Sequence, residues 1–224
     1  MTTFSEIVLA ASLAFAASTP VPTPMPSFSA TPDITPACRC VPTTRLDKQS
    51  RGKMKHRLPP ATWRVTPVTI KDMIEWRSPN KINYRQVRTS NSPIADRESQ
   101  VYTLTGYLWL VSIEANDCDF HLEISQKEDP EADRVIVEVP SDREYLKVWN
   151  SVAVYCKDRR KGKWLKPGAS VGFRKPPKVK VTGFAFYDAR HWSTTAMKKG
   201  LNHGGAMVAT LWELHPCWGF EDAN

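Results

Sequence analysis

The sequence predicts a mainly β protein with one or two helices, and two observations carry that prediction. Apolar and β-branched residues recur with a period of two in five segments, which is the pattern of buried and half-buried strands. These segments are 100–113, 120–125, 134–140, 178–188 and 206–216. A sixth segment, 141–156, has its apolar residues at helical spacing instead. The predicted order is therefore strand, strand, strand, helix, strand, strand.

Residues 1–18 are predicted to be a signal peptide, which would make the protein secreted or periplasmic. An apolar run over 7–17 ends in the small-residue spacing Ala14-x-Ala16 and is too short to span a membrane. Glu6 and the absence of Lys or Arg before the run argue against this interpretation. No other stretch is long and apolar enough to be a transmembrane segment.

A linker is predicted to separate this leader from the folded part. Residues 19–61 are first rich in Pro, Ser and Thr and then basic, a composition that favours solvated chain. The folded domain is predicted over 62–220, with a barrel core over 100–216.

Five cysteines fit an exported protein with one or two disulfides and one thiol left over. Pairings of Cys118 with Cys40 and with Cys156 are both compatible with the sequence. Cys38-x-Cys40 has no second closely spaced Cys or His pair to complete a zinc site. The five residues are Cys38, Cys40, Cys118, Cys156 and Cys217.

The net charge of +8 is concentrated in two basic clusters. The cluster over 39–64 contains one acid, Asp47, and the cluster over 157–180 contains only Asp158. Such clusters attract nucleic acid and other polyanions, although basic loops also simply keep a cationic protein in solution. In the second cluster the candidate ligand-binding residues are Lys157, Arg159 and Arg160.

Two helices are predicted from their first residues. Thr69 is the predicted N-cap of a short helix through Trp76 that lids the barrel, and Asp72 lies near its positive end. Ser141 is the predicted N-cap of the helix over 141–156. Polar residues and turn formers predict a loop from 78 to 99.

The first strand is predicted to be the longest and to lie deep in the sheet. Leu104 and Leu108 fall on one face and Val111 and Ile113 on the other, so both faces are apolar. Gly106 removes a side chain from the middle of the strand, which indicates a bulge or a sharp coil. Such a strand serves two sides of a small barrel.

This strand order, with a long first strand that carries a central glycine, is typical of the five-stranded OB-fold barrel (β-β-β-α-β-β). Four segments carry a closer resemblance: Leu104–Tyr107, Asp119–Ile124, Val181–Gly183 with Asp188, and Trp212–Pro216. Through them residues 100–216 resemble an OB-fold-like domain of uncharacterised exported bacterial proteins. The resemblance implies the fold and export, and it implies no activity.

Polar residues on two strands are candidates for catalysis or metal binding. His121 and Glu123 share one face of the second strand, and Glu213 and His215 share a face of the last. If those faces converge, they supply ligands for a divalent metal or a general acid/base pair, although such pairs also make structural hydrogen bonds. The candidate catalytic residues are His121, Glu123 and His215, and the candidate metal ligands are His121, Asp188, His191 and His215.

The loop over 190–205 is the other candidate binding site. It is polar, ends in glycines and joins strands four and five, next to the face that OB-folds use for binding. Trp192 either stacks on a base or sugar or fills the end of the barrel. The candidate ligand-binding residues here are Arg190, His191, Trp192 and His203.

The sequence therefore predicts an exported, non-enzymatic binding module without a cofactor, whose ligand is nucleic acid, another polyanion or a protein partner. The alternative is a metal-assisted hydrolase with a divalent metal at a His/Glu/Asp site on the barrel. The sequence contains no nucleophile elbow, Gly-rich phosphate loop or His-Glu-x-x-His helix, which excludes the enzyme classes built on them.

Overall fold

The computed structural model describes residues 52–58, 63–76, 94–188, 191 and 207–223. The predicted signal peptide and most of the predicted linker lie outside the described residues.

Seven strands and four α-helices make up the described part of the chain. The strands are β1 (Val65–Pro67), β2 (Val101–Ile113), β3 (Phe120–Ser125), β4 (Arg134–Val139), β5 (Ser170–Gly172), β6 (Lys178–Tyr187) and β7 (Val208–Asp222). The helices are α1 (Gly52–Lys55), α2 (Ile70–Glu75), α3 (Ala95–Glu98) and α4 (Leu146–Arg159), with a 3-10 turn at Arg143–Tyr145. Among these described helices, none has the length and apolar character needed to cross a bilayer.

Five of the strands close into a barrel. The hydrogen-bonded ring runs β2-β3-β4-β7-β6 and returns to β2, and every pair is antiparallel except β4 with β7. With α4 between β4 and β6, this confirms the predicted five-stranded OB-fold-like barrel. The short strands β1 and β5 were not predicted, and each adds to β2. Two short helices, α1 and α3, were not predicted either.

β2 serves two sides of the barrel, as its central glycine predicts. Its first half pairs with β6, and its second half pairs with β3 and β5. The register with β3 shifts between Leu108 and Leu110, so Trp109 is the extra residue of a bulge. Leu108 and Val111 consequently both face the core. The strict alternation predicted along the whole strand is therefore wrong beyond Leu108.

Gly106 lies where other elements approach β2 closely. A Cβ on Gly106 would lie 2.5 Å from Ile70 Cδ1 and 2.5 Å from the Ser125 carbonyl oxygen. Real Cβ atoms do not come so close to backbone, so only glycine fits between α2 and β3 at this position.

α2 packs over the barrel core and begins as predicted. Thr69 is its N-cap: the Thr69 hydroxyl accepts from the Asp72 amide at 3.0 Å, and the Asp72 carboxylate accepts from the Thr69 amide at 3.0 Å. Ile70 and Met73 are buried in the core. The predicted capped helix is confirmed.

α4 also packs against the core, and it begins later than predicted because a 3-10 turn precedes it. Trp149 packs on Phe120 with ring centroids 4.7 Å apart, and its indole Nε1 donates to the Cys118 carbonyl at 2.9 Å. Cys156 in α4 and Cys217 in β7 are buried free thiols, which excludes the pairing of Cys118 with Cys156. The other two cysteines lie outside the described residues.

Gly106→Ala is expected to lower the free energy of unfolding by about 1–3 kcal/mol or more, because the new methyl group overlaps α2 and the β3 backbone. Urea denaturation measures the effect. Gly172→Ala is the matched control, since a Cβ there would meet no atom closer than the Trp109 carbonyl oxygen at 3.7 Å. Equal stability of the two variants would contradict the close approach.

Candidate functional site

A cluster of charged side chains lies on the face of the barrel sheet opposite the core. Leu122, Val137 and Leu214 point into the core, so their neighbours along β3, β4 and β7 point the other way. His121 is the direct cross-strand partner of Glu138. On the other side of β4, Val137 pairs with Leu214 in parallel register. The next residues of the two strands, Glu138 and His215, therefore lie side by side.

Glu138 occupies the centre of this cluster. Its Oε1 lies 3.6 Å from His121 Nδ1, and its Oε2 lies 2.6 Å from His215 Nδ1. Glu213 Oε1 lies 3.1 Å from the same His215 nitrogen. His215 and Glu213 are fully buried, and the side chain of Glu138 is 14 % exposed.

Lys55 reaches the cluster from α1, a segment that the sequence assigns to the basic linker. Its Nζ lies 3.1 Å from Asp188 Oδ2, 3.7 Å from Glu138 Oε2 and 3.8 Å from Glu213 Oε1. The ammonium group is thus held among three carboxylates from β4, β7 and the end of β6. Part of the basic N-terminal region therefore packs on the barrel.

Two further contacts extend the network to its edges. His121 Nε2 lies 3.7 Å from Glu123 Oε1, and Arg134 donates to Glu123 Oε2 at 3.1 Å. At the other edge, His191 Nε2 lies 3.7 Å from Asp188 Oδ2. The cluster is therefore a continuous network of ionisable side chains.

The carboxylates keep both buried histidines protonated. Burial lowers the pKa of His121, but Glu123 and Glu138 outweigh it and raise the pKa to about 10. Burial likewise lowers the pKa of His215, and Glu138 outweighs it to give a pKa of about 9. Both rings therefore carry a positive charge at neutral pH.

The acids of the cluster have pKa values that are pushed apart. Burial and the adjacent Asp117 raise the pKa of Asp119 to about 7. Burial also opposes ionisation of Glu138, but Lys55 and His215 outweigh it and hold the pKa of Glu138 well below its usual range. Two acids with separated pKa values in one site are typical of acid–base chemistry.

Asp119, Glu138 and His215 bring three metal-ligating groups together. One ligand atom of each lies within 4.8 Å of the other two. His215 Nε2 makes no hydrogen bond with any described residue and lies 4.0 Å from Asp119 Oδ2. The other carboxylate oxygen of Asp119 accepts from the Ser141 amide at 2.8 Å, which fixes the group in place.

The structure joins the predicted catalytic and metal-binding candidates into one cluster: His121, Glu123, Asp188, His191 and His215. Asp119 and Glu138 are site residues that were not predicted. Asp119 lies two residues before His121 and Glu138 alternates with the apolar residues of β4, so the period of two could have indicated both. Lys55 had no such signal, because the segment around it has no periodicity that places it on the barrel.

Of the predicted ligand-binding residues, only His191 contacts the cluster, and the others lie elsewhere or outside the described residues. Arg159 donates to Asp222 at 2.9 Å, and Arg160 donates to the Lys163 carbonyl at 3.1 Å. The Lys157 ammonium lies 4.4 Å from the centre of the Trp164 ring. Arg190, Trp192 and His203 lie outside the described residues.

Comparisons of the chain with protein-family models, with curated proteins and with solved structures give no match.

Glu138→Gln is expected to lower the free energy of unfolding by about 3–5 kcal/mol, because it leaves Lys55, His121 and His215 buried without their shared carboxylate. Urea denaturation at neutral pH measures the loss. Glu128→Gln, at an exposed position, is the control and should change stability by no more than about 0.5 kcal/mol. If both variants are as stable as the unmodified protein, the cluster contributes nothing to folding.

Proposed function

We propose that the protein is a metal-assisted hydrolase in which Asp119, Glu138 and His215 hold a divalent cation on the barrel. The observation that carries the proposal is the space between His215 Nε2 and Asp119 Oδ2. Their separation of 4.0 Å is too long for a hydrogen bond. Two ligand atoms that each lie about 2.0–2.2 Å from one ion can be at most about 4.4 Å apart. The separation of 4.0 Å therefore allows one ion to contact both atoms.

The donor atoms fit a transition metal. One imidazole nitrogen and two carboxylates suit Zn²⁺ or Mn²⁺ better than a soft metal, which prefers thiolates. His215 Nδ1 already contacts Glu138 Oε2 and Glu213 Oε1, so Nε2, which has no hydrogen bond with any described residue, is the ring nitrogen left for the ion. A carboxylate on the far nitrogen of a ligating histidine is the usual support for such a ligand. His215 would release its proton when the ion binds.

The bound ion would supply an activated water for attack on an ester or phosphodiester. The protein's own residues supply the proton transfer. His121 is protonated at neutral pH, because Glu138 and Glu123 flank its two ring nitrogens. It is therefore assigned as the general acid that protonates the leaving group. Glu138 positions both histidines.

The energetic cost of the cluster supports a functional role. Buried ion pairs seldom stabilise a protein more than apolar side chains of the same size, because each charge loses its hydration. Here Glu123, Glu213 and His215 are all 1 % exposed or less. Burying so many charges beside the core is typical of a site that does chemistry.

Isothermal titration with Mn²⁺ and with Zn²⁺ is expected to show one bound ion per chain. His215→Ala and Asp119→Asn should each weaken the affinity by about tenfold or more, since each removes a ligand. Asp129→Asn, at an exposed turn, is the matched control for the Asp119 variant and should bind as the unmodified protein does.

The same proteins, loaded with the ion, are then assayed on chromogenic phosphodiesters and esters. His121→Gln should lower kcat by about 100-fold or more while leaving ion affinity unchanged, as expected for a general acid. Absence of ion binding in the unmodified protein, or equal turnover by His121→Gln, would refute the proposed function.

A second candidate function is an exported polyanion-binding module, and the basic surface after α4 supports it. Lys161, Lys163 and Lys166 are exposed, and Trp164 beside them is 41 % exposed. Exposed tryptophan among lysines is the combination that stacks bases and neutralises phosphates on single-stranded nucleic acid. This surface does not use the charge cluster, so the two functions are compatible.

Changing Lys161, Lys163 and Lys166 together to Gln is expected to weaken binding of single-stranded DNA. The slope of log affinity against log salt concentration should fall in magnitude by about 2, because three phosphate contacts are lost. Fluorescence anisotropy at several salt concentrations measures it. The control is a second triple Lys→Gln variant with the same net charge, at the exposed residues Lys71, Lys127 and Lys147. If it weakens DNA binding equally, the DNA does not bind specifically at the surface after α4.

A further inference from the structure

Residues 52–58 cover the charge cluster, and we propose that they act as a built-in basic peptide that closes the cation site and is displaced when the site is used. This inference rests on the proposed function for the identity of the site. This segment, Gly52–Leu58, is the plug.

Lys55 is the anchor of the plug. Its ammonium lies within 3.8 Å of carboxylate oxygens on Asp188, Glu138 and Glu213. Glu138 is also a proposed ligand of the ion. A divalent cation beside Glu138 and the ammonium of Lys55 would repel each other at short range, because both are positive and partly shielded from water. The two cations therefore compete for one carboxylate.

The residues after Lys55 hold the plug along the same face. His56 Nδ1 pairs with Asp142, and the His56 ring lies 6.3 Å from the His215 ring, centroid to centroid. Arg57 donates to the Ala185 carbonyl at 2.9 Å, and its guanidinium lies 3.8 Å from the centre of the Phe184 ring.

The last contact is to the backbone of the plug, where the Tyr145 hydroxyl donates to the Arg57 carbonyl. Three consecutive side chains, Lys-His-Arg, thus each have a partner in the folded domain.

The attachment of the plug is polar. Lys55, His56 and Arg57 are bound through charges, hydrogen bonds and a cation–π contact, whereas Leu58 is 60 % exposed. A segment held chiefly by ionic contacts and little apolar burial is released by a competing cation or by salt more readily than one held by a core. The carboxylate face of the barrel formed by Asp188, Glu138 and Glu213 is therefore a site for a basic peptide, and the plug occupies it.

The experiment compares Lys55→Met with Lys53→Met in the full chain. Both lysines lie on α1, but Lys53 is exposed and makes none of these contacts. Lys55→Met should bind Mn²⁺ more tightly by about tenfold in isothermal titration, since the competing ammonium is gone, and Lys53→Met should bind as the unmodified protein does. Arg57→Ala, which weakens the plug without removing Lys55, should shift the affinity in the same direction and replaces Lys55→Met if that variant fails to fold.

A second measurement needs no metal. A labelled peptide with the sequence of the plug, Gly-Lys-Met-Lys-His-Arg-Leu, is titrated against each protein by fluorescence anisotropy. It should bind Lys55→Met and Arg57→Ala about tenfold more tightly than it binds the unmodified protein, in which the plug occupies the same carboxylates. The same peptide with Met in place of the lysine that corresponds to Lys55 should lose this binding.

The outcomes separate the two proposals. Equal Mn²⁺ affinity in all variants together with no peptide binding would overturn the plug. Peptide binding to the Lys55 and Arg57 variants without Mn²⁺ binding to any protein would support the plug and overturn the metal-assisted function. Tighter Mn²⁺ binding and peptide binding in the same two variants would support both.

Discussion

The carboxylate of Glu138 is the group on which the rest of the charge cluster depends. It contacts His121 on one side, His215 on the other and Lys55 from outside the sheet. These three cations belong to three separate parts of the chain, and a single carboxylate brings them together. Because water is largely excluded, each contact is stronger than it would be at the surface, and the loss of any member would leave the others poorly compensated. One face of β4 thus contacts charged side chains, and the opposite face packs in the apolar core.

Much of the fold follows from the period of two along the strands. The same period predicts the site residues that lie on β3 and β7. His121 and Glu123 are two residues apart on one strand, so the sequence alone predicts that they share a face. Glu138 is the cross-strand partner of His121 and therefore lies on that face too. The bulge at Trp109 could not be predicted in position, because a bulge depends on how two strands and a helix meet and not on the local pattern. Gly106 predicted that β2 would bend, but it did not predict that Trp109 would be the bulged residue.

Lys55 shows the limit of reading the site from sequence. Nothing in the composition of its segment distinguishes it from the other basic residues near it, and Lys53, two residues earlier, is exposed. What selects Lys55 is the tertiary arrangement of Asp188, Glu138 and Glu213, which come from three different elements. Local propensity contains no information about such long-range charge complementarity, so the contact becomes visible only when the strands are assembled.

The position of β7 in the ring has a consequence for synthesis. β7 lies between β4 and β6 in the ring, yet it follows both of them in sequence. Because chains emerge from the ribosome N-terminus first, β4 and β6 each have an unpaired edge until β7 is made, and Glu138 lacks its contact with His215. Barrel closure and the His215 side of the cluster therefore depend on the same strand, and a chain shortened before β7 would lack both.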